Sequence, residues 1–102
     1  MLQSDEWVQR IEAEARELAA ARERICERRS KLVADIAGRL RAEMDHRGLD
    51  MPTLGRRTGI NAKQLARLRD PCGTVSGPDA AEIEALSAAL GCSARWLAWG
   101  LL

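Results

Sequence analysis

The stretch Leu49–Asp70, LDMPTLGRRTGINAKQLARLRD, constrains this chain more than any other. Asp50 is a predicted N-cap, because its carboxylate accepts the unpaired amide hydrogens of the turn that follows. Pro52 falls in that first turn, where a missing N–H costs nothing. Leu54 marks the buried side of the helix. Thr58-Gly59 ends it, with Gly59 where a left-handed residue is wanted. Ile60 returns to the core, and Asn61 caps a second helix over Ala62–Arg69. There Leu65 and Leu68 point inward, so Lys63, Gln64 and Arg67 share the opposite face by i, i+3, i+4 geometry. Asp70-Pro71 stops it, since proline drives its predecessor away from helical angles. Two short helices about a glycine turn, with long donors on the second, predict a helix-turn-helix.

Upstream, Ser4 is placed to cap a helix whose first turn carries Asp5 and Glu6, as the helix dipole prefers. From Trp7 no glycine or proline interrupts until Gly38, and no strong stop appears until Gly48. Ile11, Leu18, Ile25 and Leu32 recur every seven residues, with Val8, Ala15, Arg22 and Arg29 at the complementary positions. Residues 1–30 are therefore expected to form an amphipathic, coiled-coil-like arm, with Ile11, Leu18, Ile25 and Leu32 as its dimerisation seam. The alternative is a helix packed on its own domain. Half of the seam is apolar and the other half weakens to arginine, which argues for an antiparallel or domain-assisted pairing over a free parallel zipper. After Ser30 the spacing changes to Val33, Ile36-Ala37, Leu40 and Met44, the first helix of a domain over residues 31–102. Sequence leaves open whether the arm runs straight into that helix or bends near Arg28 to Lys31. Arg39 and Arg41 are within reach of a phosphate or are solvated surface charge.

Downstream, DPCGTVSGP, Asp70–Pro78, is a loop. Any phosphate contact there falls to backbone amides or to Thr74 and Ser76. Asp79 begins a helix over Ala80–Leu90, with Ile83, Leu86 and Leu90 inward, and Gly91 ends it. Ser93 caps a last short helix holding Trp96, expected in the core, and Trp99. With Leu101 and Leu102, Trp99 is either a hydrophobic lid or a second dimer contact. Phe and Tyr are absent and no stretch alternates as a strand, so the fold class is all-α with five helices plus the arm.

The net charge of +1 hides a division. Residues 1–27 carry −3, 28–46 carry +2, 47–69 carry +5 and 70–102 carry −3. Positive charge thus gathers on the motif that would meet phosphates. Cys26, Cys72 and Cys92 are odd in number and widely spaced, which fits reduced, structural thiols in a cytoplasmic protein rather than a disulfide framework or, with His46, a zinc site. No apolar run is long enough to span a membrane and no leader is evident. One histidine, no phosphate-cradling loop and no nucleophile–base set exclude recognised enzyme chemistry, and no cofactor is expected.

Gly48-Leu49, Leu54, Arg56-Arg57, Gly59-Ile60 and Asn61–Leu68, followed by Leu86, Ala89, Leu90-Gly91, Ser93 and Trp96-Leu97, resemble the phage-repressor or XRE-type helix-turn-helix family over roughly residues 36 to 100. That resemblance implies a lambda-repressor-like domain that binds an inverted-repeat operator in double-stranded DNA as a homodimer, in a bacterial or phage-encoded, nucleoid-associated protein. The base-reading set would be Ala62, Lys63, Gln64 and Arg67: Lys63 and Arg67 toward guanine, Gln64 toward adenine, Ala62 toward a thymine methyl. The backbone set would be Thr53, Arg56, Arg57, Asn61 and Arg69, although solvent-facing charge is the competing reading of Arg56 and Arg57. Relatives often carry glutamine where this chain has Met51 and Ala62, and basic residues in the loop after the recognition helix, so their operators do not transfer. Two other functions share these features: an antitoxin-like autoregulator whose arm holds a partner protein, and an interaction module without DNA binding. The +5 segment favours DNA contact over pure docking.

Overall fold

A computed structural model describes residues 2–71 and 77–101, with side chains from residue 5 onward. The elements are α1 (Leu2–Arg47), α2 (Met51–Thr58), α3 (Ala62–Arg69), α4 (Ala80–Leu90) and α5 (Ala94–Trp99), with no strand among the described residues. Their limits follow the local signals. Asp50, Asn61, Asp79 and Ser93 each accept from the amide three residues on, and Gly59, Gly91 and Gly100 close α2, α4 and α5 in left-handed geometry.

α1 is one unbroken helix of 46 residues, so the arm runs straight into the first helix of the domain. No residue between Trp7 and Arg47 lacks an N–H or clashes with the preceding turn. Helix-favouring Leu2 and Gln3 extend α1 ahead of Ser4, so Ser4 lies within the first turn rather than ahead of it as a cap.

The core gathers around the end of α1. Val33, Ala37, Leu40 and Met44 are buried on one stripe, and Leu40 and Met44 join a cluster with Leu54, Leu65, Leu68, Ile83, Leu86, Leu90 and Leu97. α1 packs on α3, α4 and α5, while α2 packs on α3 and α4. Residues 5–31 of α1 are exposed apart from half-buried Ala20 and Ala21, and the molecule is 70 Å long. Ile11, Leu18 and Ile25 are therefore uncovered, whereas Leu32 is already half-buried against the domain. Trp96 is half-buried against the core, as expected. Trp99 is 62% exposed and Leu101 51%, so the indole does not close over the core as a lid.

Gly59 holds φ at +75°, and a Cβ there would meet open space. Backbone handedness is then the sole penalty. Gly59→Ala is expected to lower stability by about 1–2 kcal/mol, with Gly59→Asn losing less, as measured by urea unfolding.

Candidate nucleic-acid interface

α2 and α3 meet closely: a Cβ on Gly55 would lie 3.5 Å from Leu65 Cδ1 and 3.6 Å from the Ile60 carbonyl oxygen. With Leu54, Leu65 and Leu68 buried behind them, the outer surface of the pair is fixed by backbone and caps rather than by its own long side chains. Ala62, Lys63 and Arg67 of α3 are exposed on that surface. Lys63 forms no ion pair among the described residues, and the Arg67 Nε donates back to the Lys63 carbonyl at 3.5 Å. Both cations are available to an anion at modest rearrangement.

Gln64 is placed differently. It is half-buried, and its Nε2 donates to Glu82 Oε2 at 3.2 Å. The other Glu82 oxygen accepts from the Asp79 amide at 3.0 Å and completes the capping box of α4. Gln64 thus braces α3 against α4, and pairing with adenine through both amide atoms would require it to turn from Glu82.

The five expected backbone contacts are on or beside α2 and α3, in varied states. Asn61 is exposed and its Oδ1 accepts from the Gln64 amide at 2.8 Å, which leaves its amide hydrogens directed elsewhere. Arg56 donates to Thr53 Oγ1 at 3.2 Å, on the exposed side of α2. Arg57 is exposed but leans on the Ala89 carbonyl at 3.4 Å. Arg69 is half-buried and pairs with Asp70 at 3.5 Å. Arg56 and Asn61 are the freest of the set.

Three further arginines hold helix ends. Arg39 donates through Nε to Leu97 O at 2.9 Å and through Nη2 to Ala98 O at 3.0 Å, capping the last carbonyls of α5. Arg41 donates to Arg69 O and pairs with Asp70 at 3.6 Å, tying α1 to the end of α3. Arg47 pairs with Glu43 at 3.0 Å and reaches Gly91 O at 3.4 Å, beyond α4. A guanidinium at a helix C-terminus meets both unpaired carbonyls and the negative dipole end. Arg39 and Arg41 are therefore committed to the fold rather than poised for phosphate. Their targets lie 58 and 28 residues away in sequence, so no local signal identifies them. Glu82 did have a signal, the Asp79-x-x-Glu82 spacing of a capping box.

The carboxyl of Asp50 is held below the usual carboxylate value by hydrogen bonding from the Thr53 side chain and then its backbone amide, with Arg56 adding attraction. A lowered folded-state value means that the cap stabilises α2 above the ordinary carboxylate range and loses this effect as pH falls through the lowered value. Asp50→Asn retains a capping oxygen but not the charge. Its melting temperature is expected to differ from wild type near neutral pH, with the gap shrinking below about pH 4.

Cys92 is half-buried against the core, where desolvation, followed by the nearby Glu43 charge, raises its thiol value and keeps it neutral. Cys26, by contrast, is exposed on the arm rather than structural. Cys72, Thr74 and Ser76 lie outside the described residues, so the loop contacts expected of them do too. No helix among the described residues is long and apolar enough to cross a membrane.

Neither the curated proteins nor the solved structures return a match to this chain. A family model, the Cro/C1-type HTH DNA-binding domain, matches residues 39–94, from the last turns of the α1 core stripe to the start of α5. That span contains the whole α2–α3 pair and the helix that braces it. The chain belongs to the Cro/C1-type helix-turn-helix family of DNA-binding transcription regulators.

Proposed function

We propose that this regulator is a dimeric, sequence-specific repressor of phage-repressor type, acting on an inverted-repeat operator in the cytoplasm. The observation that carries the reading is the exposed Lys63 and Arg67 on a short helix capped by Asn61 and backed by buried Leu65 and Leu68. Such a helix presents cations with little freedom of position, which suits it to the major groove. Ala62 and Lys63 open the helix and Arg67 lies one turn on, so all three reach base edges if the N-terminal end enters first. Arg56 and Asn61 then meet the flanking phosphates, with Thr53, Arg57 and Arg69 behind them.

Affinity for random duplex is expected to fall steeply with salt, with a log–log slope of about −0.9 for each phosphate neutralised. Salt-insensitive or absent binding would leave the interaction-module reading in its place. The arm supports the dimer: deleting residues 1–27 is expected to leave a folded domain that dimerises more weakly in the ultracentrifuge. The exposed apolar side chains of the arm also favour a second reading, an antitoxin-like autoregulator whose arm holds a different protein. A purified chain that stays monomeric with an intact arm, yet binds DNA, would favour that reading.

A further inference from the structure

The exposed length of α1 divides into halves of opposite charge. Residues 5–17 carry Asp5, Glu6, Glu12, Glu14 and Glu17 against Arg10 and Arg16, a net −3. Residues 18–31 carry Arg22, Arg24, Arg28, Arg29 and Lys31 against Glu23 and Glu27, a net +3. Along the same length Trp7, Val8, Ile11, Leu18 and Ile25 are 45–63% exposed. At its far end this apolar stripe runs through half-buried Leu32 into a groove that Leu32 and Ile36 share with Ile83, Ala94, Ala98 and Trp99.

We propose that a second copy of the chain covers this face with its arm antiparallel, so that the Trp7–Val8 end of each arm seats in the other copy's groove. The proposal rests on the dimer reading above and adds its geometry. A parallel pair sets −3 beside −3 and +3 beside +3, whereas an antiparallel pair sets opposite halves together twice. Each exposed ion pair contributes little, so charge selects the orientation while apolar contact supplies the affinity. Val8 and Leu32 stand about 36 Å apart along one helix at 1.5 Å per residue, so only antiparallel arms bring one copy's N-terminal end to the other's groove.

One register satisfies the seam. Placing Val8 against Leu32 of the second copy also sets Ala15 against Ile25, Ile11 against Arg29 and Leu18 against Arg22, with Glu14 beside Arg28. Each layer then holds one large apolar side chain facing a smaller apolar residue or an arginine whose stem packs while its head reaches water. The arginines that weaken a parallel seam fit here. The pair centres near Ala20, so the two domains stand at opposite ends, with the two Arg41 positions, each bonded to the end of its α3, about 63 Å apart at 1.5 Å per residue. That separation is close to two turns of duplex, about 68 Å, and half-sites two turns apart follow.

Charge reversal in the full chain tests the orientation. In R28E/R29E/K31E both halves of the arm are acidic. Antiparallel arms then repel along their whole length, and sedimentation equilibrium at low salt is expected to show dimerisation at least about tenfold weaker. Adding E12K/E14K/E17K reverses the other half and is expected to restore it. Parallel arms would show neither effect, since their like charges face each other in every variant. A triple variant that dimerises like wild type, a sextuple variant that does not recover, or a monomeric wild type overturns the proposal. Binding of each variant to duplex DNA reports on its domain separately. A monomeric wild-type chain that still binds duplex would defeat the arm pairing and leave the DNA reading intact, while charge-dependent dimers without DNA affinity would do the reverse.

Discussion

Leu65→Ala is expected to lower stability by about 2–5 kcal/mol, the range for truncating a buried leucine in a core that cannot collapse around the gap. Leu65 is 1% exposed, belongs to α3, and lies beside the close approach of Gly55. Its loss opens space under the helix that carries Lys63 and Arg67, so stability and DNA binding should fall together. For a domain whose whole stability is about 5–15 kcal/mol, a change of this size populates the unfolded chain. Urea unfolding followed by circular dichroism measures it. Leu18→Ala is the control, because Leu18 is 53% exposed on the arm and touches no core residue. Its effect on the unfolding of the domain is expected to stay within about 0.5 kcal/mol. Equal losses in the two variants would mean that α1 packs its arm against the domain in solution.

Arg67→Ala should leave folding unchanged and weaken specific binding by about 1–3 kcal/mol, with preference relaxed at one base pair of each half-site. Arg67 is exposed, and its guanidinium makes a long hydrogen bond to the Lys63 carbonyl in its own helix, so its removal disturbs nothing in the core. Competition binding against single-base variants of a selected site gives the outcome. Uniform weakening across all sequences would make Arg67 a phosphate contact and remove it from the base-reading set. Gln64→Ala separates two roles in the same assay. A residue that braces α3 against Glu82 would lower stability when lost, whereas a base reader would alter preference alone.

Legibility in the sequence followed distance along the chain. The caps Asp50, Asn61, Asp79 and Ser93 act three residues ahead, and Gly59 and Gly91 act at the residue itself, so short patterns identified them and the helices they bound. The buried stripe Val33, Ala37, Leu40 and Met44 was likewise a periodicity. Arg39 bonds carbonyls 58 and 59 residues away, and nothing in its neighbours distinguishes it from Arg56, which points outward on α2. Gln64 and Lys63 are adjacent, yet one turns to α4 and the other to solvent, because Glu82 stands on one side alone. The straight run of α1 past Arg28 is not written in the local sequence, for a related reason. Helix-permissive residues allow a bend as readily as a rod, and burial of Val33 against the domain favours continuation of one stripe.

Selection of bound sites from a random-duplex pool at near-physiological salt shows whether α3 reads a DNA sequence. Enrichment of an inverted repeat is expected, with preference at one base pair of each half-site lost in Arg67→Ala, and the spacing of the half-sites reports the arrangement of the arms. A pool that leaves the selection with no enriched sequence would contradict sequence-specific DNA binding through α3.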